Sequence, residues 1–184
     1  MSSWRLRDIR SSDSQAITDI YGYWVLHGTG TFEETPPPLA EMSNRIAAIA
    51  KSGMPWIVAE DESGSVVGYA YASPFRPRIG YRYAVEDSIY VAPQAKEKGL
   101  GGELLATLIA RVQALGVRQM IAVIGDSNNR GSIALHAAAG FTYAGVLKNS
   151  GFKFSRWLDV VLMQRALGEG GTTQPNSGEG WNIP

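Results

Sequence analysis

The chain has 184 residues, 45% of them hydrophobic, enough for one domain with a sizeable core and short for two. Its 17 lysines and arginines balance 17 acidic residues, so no net charge draws the molecule to nucleic acid or an anionic membrane, and any anion site must be local. The absence of cysteine excludes disulfides, thiolate metal sites and a cysteine nucleophile, and no apolar run reaches the roughly 20 residues of a membrane span.

The N-terminal stretch MSSWRLRDIR has no apolar signal core, which leads us to expect a soluble, cytoplasmic protein without membrane or nucleic-acid partners. WRLRDI alternates apolar and polar side chains and predicts a first strand. Ser12 and Gln15 have capping-box spacing ahead of a helix over SQAITDIYGYWVL, which the glycines and prolines of HGTGTFEETPPP end. A second helix is expected from Leu39 to about Lys51. PWIVAED and VVGYAYASP, joined by ESGS, read as a hairpin, and RPRIGYRY as a basic, aromatic loop. AVEDSIYVAP is a strand stopped by Pro93. Leu100, Leu104, Leu105, Leu108, Ile109, Val112 and Leu115 recur at helical spacing and predict a helix from about Gly101 to Leu115. RQMIAVIG is a strand, NNRGSIALHAAAG a helix closed by Gly140, and FTYAGVLKN and WLDVVLMQRA two final strands. The expected fold is a single α+β domain over residues 1–167, with a mixed sheet of about seven strands flanked by helices. The polar, glycine-rich remainder, 168–184, is expected to be a mobile tail.

The run KEKGLGGELL joins a strand to a helix. Backbone N–H groups at a helix N-terminus lack partners within the helix, and the macrodipole adds positive potential there, so the place suits a phosphate. Gly99, Gly101 and Gly102 leave the approach clear of side chains, and Lys96 and Lys98 add charge. The run completes neither G-x-x-x-x-G-K-[ST] nor G-x-G-x-x-G, which argues against an NTPase and a dinucleotide oxidoreductase. A plain strand-to-helix turn with solvated lysines has the same local pattern.

SIYVAPQAKEKGLGGELL resembles the acetyl-CoA motif of the GNAT N-acetyltransferases, Gln/Arg-x-x-Gly-x-Gly/Ala, falling here on Lys96, Glu97, Lys98, Gly99, Leu100 and Gly101, with Lys96 departing from the usual first residue. ITDIYGYWVLHGTGTFEETPP, VAEDESGSVVGYAYASPFRPR, YRYAVEDSIYV, NRGSIALHAAAGF and GFKFSRWLDVVLMQ are similar, in that order, to the branch that acetylates phosphinothricin and methionine sulfoximine. The resemblance spans roughly Trp4 to Ala166. It implies acetyl-CoA as co-substrate, no metal, a small amino-acid-like substrate and a homodimer. The implied reaction is direct transfer of acetyl to an α-amine, phosphinothricin, methionine sulfoximine and methionine sulfone being the leading substrates. Another small amine, a peptide N-terminus or a non-catalytic acyl-CoA sensor are the alternatives.

The same resemblance assigns roles. Glu86 matches the acid of the family's strand motif and is the candidate general base, since a free amine is mostly protonated at neutral pH. The bland alternative for it is a pairing with Arg82 or a lysine. By strand alternation Asp87 points away from Glu86 and Ser88, and we carry Asp87 and Ser88 as substrate-side residues. The backbone of Ile89, Tyr90 and Val91 is expected to meet the thioester and pantetheine arm, and Gly102 to join the phosphate loop. Asn129 is a plausible N-cap or a contact to the pantetheine arm. Ser132 and His136 lie one helical turn apart; His136 is a candidate for binding near the thiolate or relaying a proton. Arg76 and Arg78 can clamp an acidic substrate, with Pro77, Tyr81 and Tyr83 around them. Phe32 also matches a substrate position, whereas Trp157 is expected in the core.

Overall fold

The computed structural model describes residues 4–96, 98–176 and 180–181. Seven strands, β1 (Trp4–Asp8), β2 (Trp56–Asp61), β3 (Val66–Pro74), β4 (Ala84–Val91), β5 (Gln119–Gly125), β6 (Thr142–Lys153) and β7 (Arg156–Ala166), form one sheet in the order β1-β2-β3-β4-β5-β7-β6. Every neighbouring pair is antiparallel except β4 and β5. The helices are α1 (Ser14–His27), α2 (Leu39–Lys51), α3 (Leu100–Ala114) and α4 (Arg130–Ala138). This is the mixed, seven-stranded α+β domain that the sequence predicts. Among the described residues no helix is long and apolar enough to cross a membrane.

Alternation along the strands divides the core between two layers. Ile57 and Ala59 of β2, with Ala70 and Ala72 of β3, join the cluster that buries Leu100, Leu104, Leu105, Leu108, Ile109 and Val112 of α3. Trp56 and Val58 of β2 and Tyr69 of β3 instead join Ile17, Ile20, Tyr21 and Val25 of α1 and Met42 of α2. The helical spacing of the α3 leucines is therefore a burial pattern. Gly68 is needed under α3, where an added Cβ would come within 3.2 Å of both Leu100 Cδ2 and the Tyr90 carbonyl oxygen.

Several local expectations are corrected. The Ser12–Gln15 capping box does not form. A 3-10 turn, Ser11–Asp13, leads into α1, and the Asp13 carboxylate accepts the Arg10 N–H at 2.7 Å and a two-pronged bond from Arg7. Strand β6 runs four residues past its predicted end and meets β7 through a two-residue turn, Phe154 and Ser155, both left-handed with φ of 52° and 57°. Trp157 lies outside the core, 62% exposed and edge-on to Phe152. The tail, expected to be mobile along its length, is held at Trp181. That ring is 5% exposed within the α3-side core, and its Nε1 donates to the carbonyls of Tyr81 and Ala84, both at 3.1 Å.

Candidate active site

The sheet opens where β4 and β5 part. Their parallel pairing covers only Ala84–Gln119, Val85–Met120 and Glu86–Ile121. Beyond it β4 stays paired to β3 up to Val91, and β5 to β7 up to Gly125. Ala92 donates to the Val67 carbonyl and Ala84 accepts from Phe75, so the even-numbered residues of β4 bond to β3. The odd-numbered ones, Asp87, Ile89 and Val91, therefore turn their backbone polar groups into the gap. One of these is already used: the Val91 carbonyl accepts from Trp24 Nε1 at 2.8 Å. The N–H groups of Ile89 and Val91 face a cleft of about 830 Å³ that extends from the gap to the N-termini of α3 and α4.

At one end of the cleft stand Lys96, Gly99, Leu100, Gly101 and Gly102. Gly99 caps α3 in the left-handed region at φ 86°, a conformation that favours glycine, and its carbonyl accepts from Gly102 and Glu103. The amides of Leu100 and Gly101 precede those first helical bonds and have no acceptor within the helix. The Leu100 side chain is buried beneath the sheet, so only its backbone can meet a ligand. Lys96 extends over the Trp24 ring, 5.0 Å from its centroid. Lys98 is not among the lining residues, and Glu97 lies outside the described residues. A glycine-lined helix terminus with two open amides fits a pyrophosphate. Beside it, Asn129 caps α4 by accepting the Ser132 N–H at 3.3 Å, and both residues line the cleft.

Deeper in, the carboxylates of β4 separate as strand alternation predicts. Glu86 lines the cleft at the last paired position of β4 and β5 and has no ion-pair partner among the described residues. Burial pushes its carboxyl above the ordinary range, the Asp87 charge adds to this, and Arg76 partly offsets it. Asp87 faces α4, where its Oδ2 meets His136 Nε2 at 2.9 Å. The other ring nitrogen, Nδ1, is 2.7 Å from the Ser132 carbonyl. Both nitrogens thus face acceptors, an arrangement that an imidazolium satisfies. Burial favours the neutral ring, but the hydrogen bond and charge of Asp87, with the Ser132 carbonyl, outweigh it and hold His136 above its ordinary pKa. The second Asp87 oxygen, Oδ1, is buried without a hydrogen-bond partner.

Phe32, Arg76, Pro77, Arg78, Tyr81 and Tyr83 are not brought into the cleft lining. Arg76 lies on the Phe75 ring, 4.3 Å from its centroid, and donates to the Phe75 carbonyl, though its charge still reaches Glu86. Tyr81 stands edge-on to Phe75, and Arg82 lies over Tyr83. Phe32 packs on β6, where a Cβ at Gly151 would meet its ring at 2.0 Å. In place of these residues the cleft takes Trp24, His27, Gly28, Thr29 and Gly30 from the end of α1, and Asp126, Arg130 and Arg156. The loop from Gly28 to Thr31 is fixed from below by Lys153. That side chain is 1% exposed and donates to the carbonyls of Gly28 at 2.9 Å and Thr31 at 2.8 Å. Sequence reasoning stopped at the motif positions and missed this wall; the break HGTG directly after α1 is its one local sign.

Residues 6–162 match the family model described as the acetyltransferase (GNAT) domain. The chain is 52% identical over 170 residues to the phosphinothricin N-acetyltransferase of Alcaligenes faecalis, covering 92% of this chain and 86% of that one. It is 42% identical over 162 residues to the L-methionine sulfoximine/L-methionine sulfone acetyltransferase of Pseudomonas paraeruginosa, covering 88% and 94%. Among solved structures, a GNAT superfamily phosphinothricin acetyltransferase from Sinorhizobium meliloti in complex with AcCoA superposes with a TM-score of 0.94 at 52% identity, covering 97% of this chain and 96% of that one.

Proposed function

The chain belongs to the acetyltransferase (GNAT) domain family, and from that membership we propose that it moves acetyl from acetyl-CoA to the α-amine of a small amino-acid analogue such as phosphinothricin, methionine sulfoximine or methionine sulfone. The observation that carries this reading is the parting of β4 from β5 immediately after Glu86, which sets a partly buried carboxylate beside open backbone N–H groups in a cleft that ends at the Gly99–Gly102 helix terminus. In this reading the amides of Leu100 and Gly101 hold the pyrophosphate and Asn129 meets the pantetheine arm. The amine nitrogen attacks the thioester carbonyl carbon and gives its proton to Glu86, directly or through water. Charge that develops on the carbonyl oxygen meets the N–H of Ile89 or Val91. The carbon–sulfur bond breaks, and the CoA thiolate leaves with the electron pair and takes up a proton.

Both nitrogens of His136 are engaged within the protein, so we assign it a positioning role: it fixes Asp87 and ties α4 to β4. Arg76 acts from outside the cleft, through its charge on Glu86, and with Arg78 draws an anionic substrate towards it. The family resemblance adds a homodimer.

Thiol release from acetyl-CoA, measured against a panel of amines, tests the proposal. We expect turnover of phosphinothricin, methionine sulfoximine and methionine sulfone, weak turnover of methionine and none of spermidine. No release with any amine, with acetyl-CoA still bound, would make the chain an acyl-CoA sensor. A polyamine or aminoglycoside as best substrate would overturn the amino-acid reading and leave acetyl transfer standing.

A further inference from the structure

We propose that Trp181 is a positioning residue for the amino-acid substrate: by clamping residues 81–84 it sets the loop between β3 and β4 that carries Arg76 and Arg78. The assignment rests on the small amino-acid reading above. The loop, residues 75–83, has little core of its own. Residues 76–81 are exposed, Ile79 to 62% and Tyr81 to 44%. Internally it makes one 3-10 turn, in which the Tyr81 N–H donates to the Arg78 carbonyl at 2.8 Å and the Arg82 N–H to the Ile79 carbonyl at 3.1 Å. A segment with few buried contacts takes its place from the ends that hold it.

At the end that leads into β4, all four carbonyls of residues 81–84 are engaged. Trp181 Nε1 donates to those of Tyr81 and Ala84, both at 3.1 Å, and the Trp181 N–H to that of Arg82 at 2.9 Å. The Tyr83 carbonyl accepts from Arg118 and Gln119 at 2.9 and 3.0 Å, where β5 begins. One residue of the tail thus holds three carbonyls of the segment. The clamp is itself anchored. Its ring is buried in the α3-side core, and the Gly180 N–H donates to the carbonyl of Leu115, the residue that follows α3, at 3.2 Å. Gly180 stands at φ 94°, so close to the segment that a Cβ would lie 2.4 Å from the Arg82 carbonyl oxygen.

From the clamp, contacts lead on to the site. The Ala84 carbonyl also accepts the Phe75 N–H at 3.2 Å, and the Tyr81 ring stands edge-on to Phe75, 5.9 Å between centroids. Arg76 lies on that Phe75 ring, 4.3 Å from its centroid, and donates to the Phe75 carbonyl at 2.9 Å. Arg76 is the cation whose charge reaches Glu86. Trp181 is not among the residues that line the cleft, so its contribution to substrate binding passes through the loop. A guanidinium recognises an acidic group best when its fork is held in one orientation, and a loop fixed in advance spares the cost of ordering it on binding.

The test measures kcat and KM for L-methionine sulfone, by thiol release from acetyl-CoA, in the parent, Trp181→Phe, Gly180→Ala, Arg76→Gln and the double variant Arg76→Gln/Trp181→Phe. Urea midpoints establish that each variant is folded, and calorimetry gives its acetyl-CoA affinity. Trp181→Phe keeps a buried ring and loses the indole N–H, whereas Gly180→Ala keeps the indole and pushes the segment away. Both should raise KM for methionine sulfone by about tenfold, within the range that a misplaced positioning group costs, with kcat and acetyl-CoA affinity close to the parent's. In the Arg76→Gln background Trp181→Phe should change KM by less than about twofold, because the group it positions is already gone. A parental KM in Trp181→Phe overturns the assignment. So does an equal rise in both backgrounds, or a loss of acetyl-CoA affinity in step with KM, since either would make Trp181 a general structural residue. A parent enzyme that binds acetyl-CoA and acetylates no amino-acid analogue overturns the substrate reading itself and the assignment with it, an outcome distinct from the others.

Discussion

Glu86 is a partly buried carboxylate whose pKa burial and the neighbouring Asp87 charge raise above the ordinary range. A base works only when ionised, so kcat/KM of the parent should fall as pH drops through that raised value, at higher pH than an ordinary glutamate of about 4.3 would give. Glu86→Gln keeps the shape and removes the acceptor. At neutral pH we expect a loss of turnover of about a hundredfold or more, shrinking at high pH as the amine loses its proton unaided. A uniform loss at every pH would make Glu86 a positioning residue. Asp87, next to it in sequence, cannot share the task, because alternation turns it to the opposite face and His136 holds it there.

At the scale of elements, the N-terminus of α3 separates two kinds of glycine. Gly99 stands at φ 86° with open space around it, and alanine there costs about 1–2 kcal/mol from backbone strain alone. Gly101 is helical, and a methyl on it would meet the Leu135 side chain at an ordinary contact distance of 3.5 Å. Gly101→Ala also removes the entropic cost of a helical glycine, about 0.5–1 kcal/mol. It should therefore unfold at the same urea concentration as the parent or a higher one, while the methyl at the cleft weakens acetyl-CoA. Equal acetyl-CoA affinity by calorimetry would remove this terminus from the cofactor site. The loop after α1 shows a different construction. A buried lysine is costly unless its donors are satisfied, and Lys153 meets this condition through two loop carbonyls. Burial lowers its pKa, and the charges of Glu34 and Glu33 partly restore it.

Across the whole molecule, the tail closes what the sheet leaves open. Trp181 fills the α3-side core below the 81–84 segment, and the Gly180 N–H donates to the Leu115 carbonyl at 3.2 Å. Gly180 itself has no room for a side chain, since a Cβ would lie 2.4 Å from the Arg82 carbonyl oxygen. Trp181→Ala removes a large buried ring and its two hydrogen bonds and should destabilise the protein by about 3–5 kcal/mol, the range for core tryptophan truncation, read as a lower urea midpoint. An unchanged midpoint would return the tail to the mobile role that its composition suggests.

The sequence by itself determined the elements and their faces. The spacing of Leu100, Leu104, Leu105, Leu108 and Val112 made α3 legible, alternation placed Glu86 and Asp87 on opposite faces, and the glycine run marked the helix terminus, because these patterns depend on neighbours within a few residues. Resemblance extended that reading to a family and an ordered set of motif positions. Only the tertiary structure decided where β4 and β5 part, that His136 spends both nitrogens on Asp87 and Ser132, that Trp181 is core and Trp157 is not, and that Arg156 lines the cleft in place of Arg76 and Arg78. Each of these joins residues far apart in the chain, such as Asp87 with His136 and Asp126 with Arg156. Local periodicity carries no record of which distant side chains will meet, since that is settled by how the packed layers close on one another.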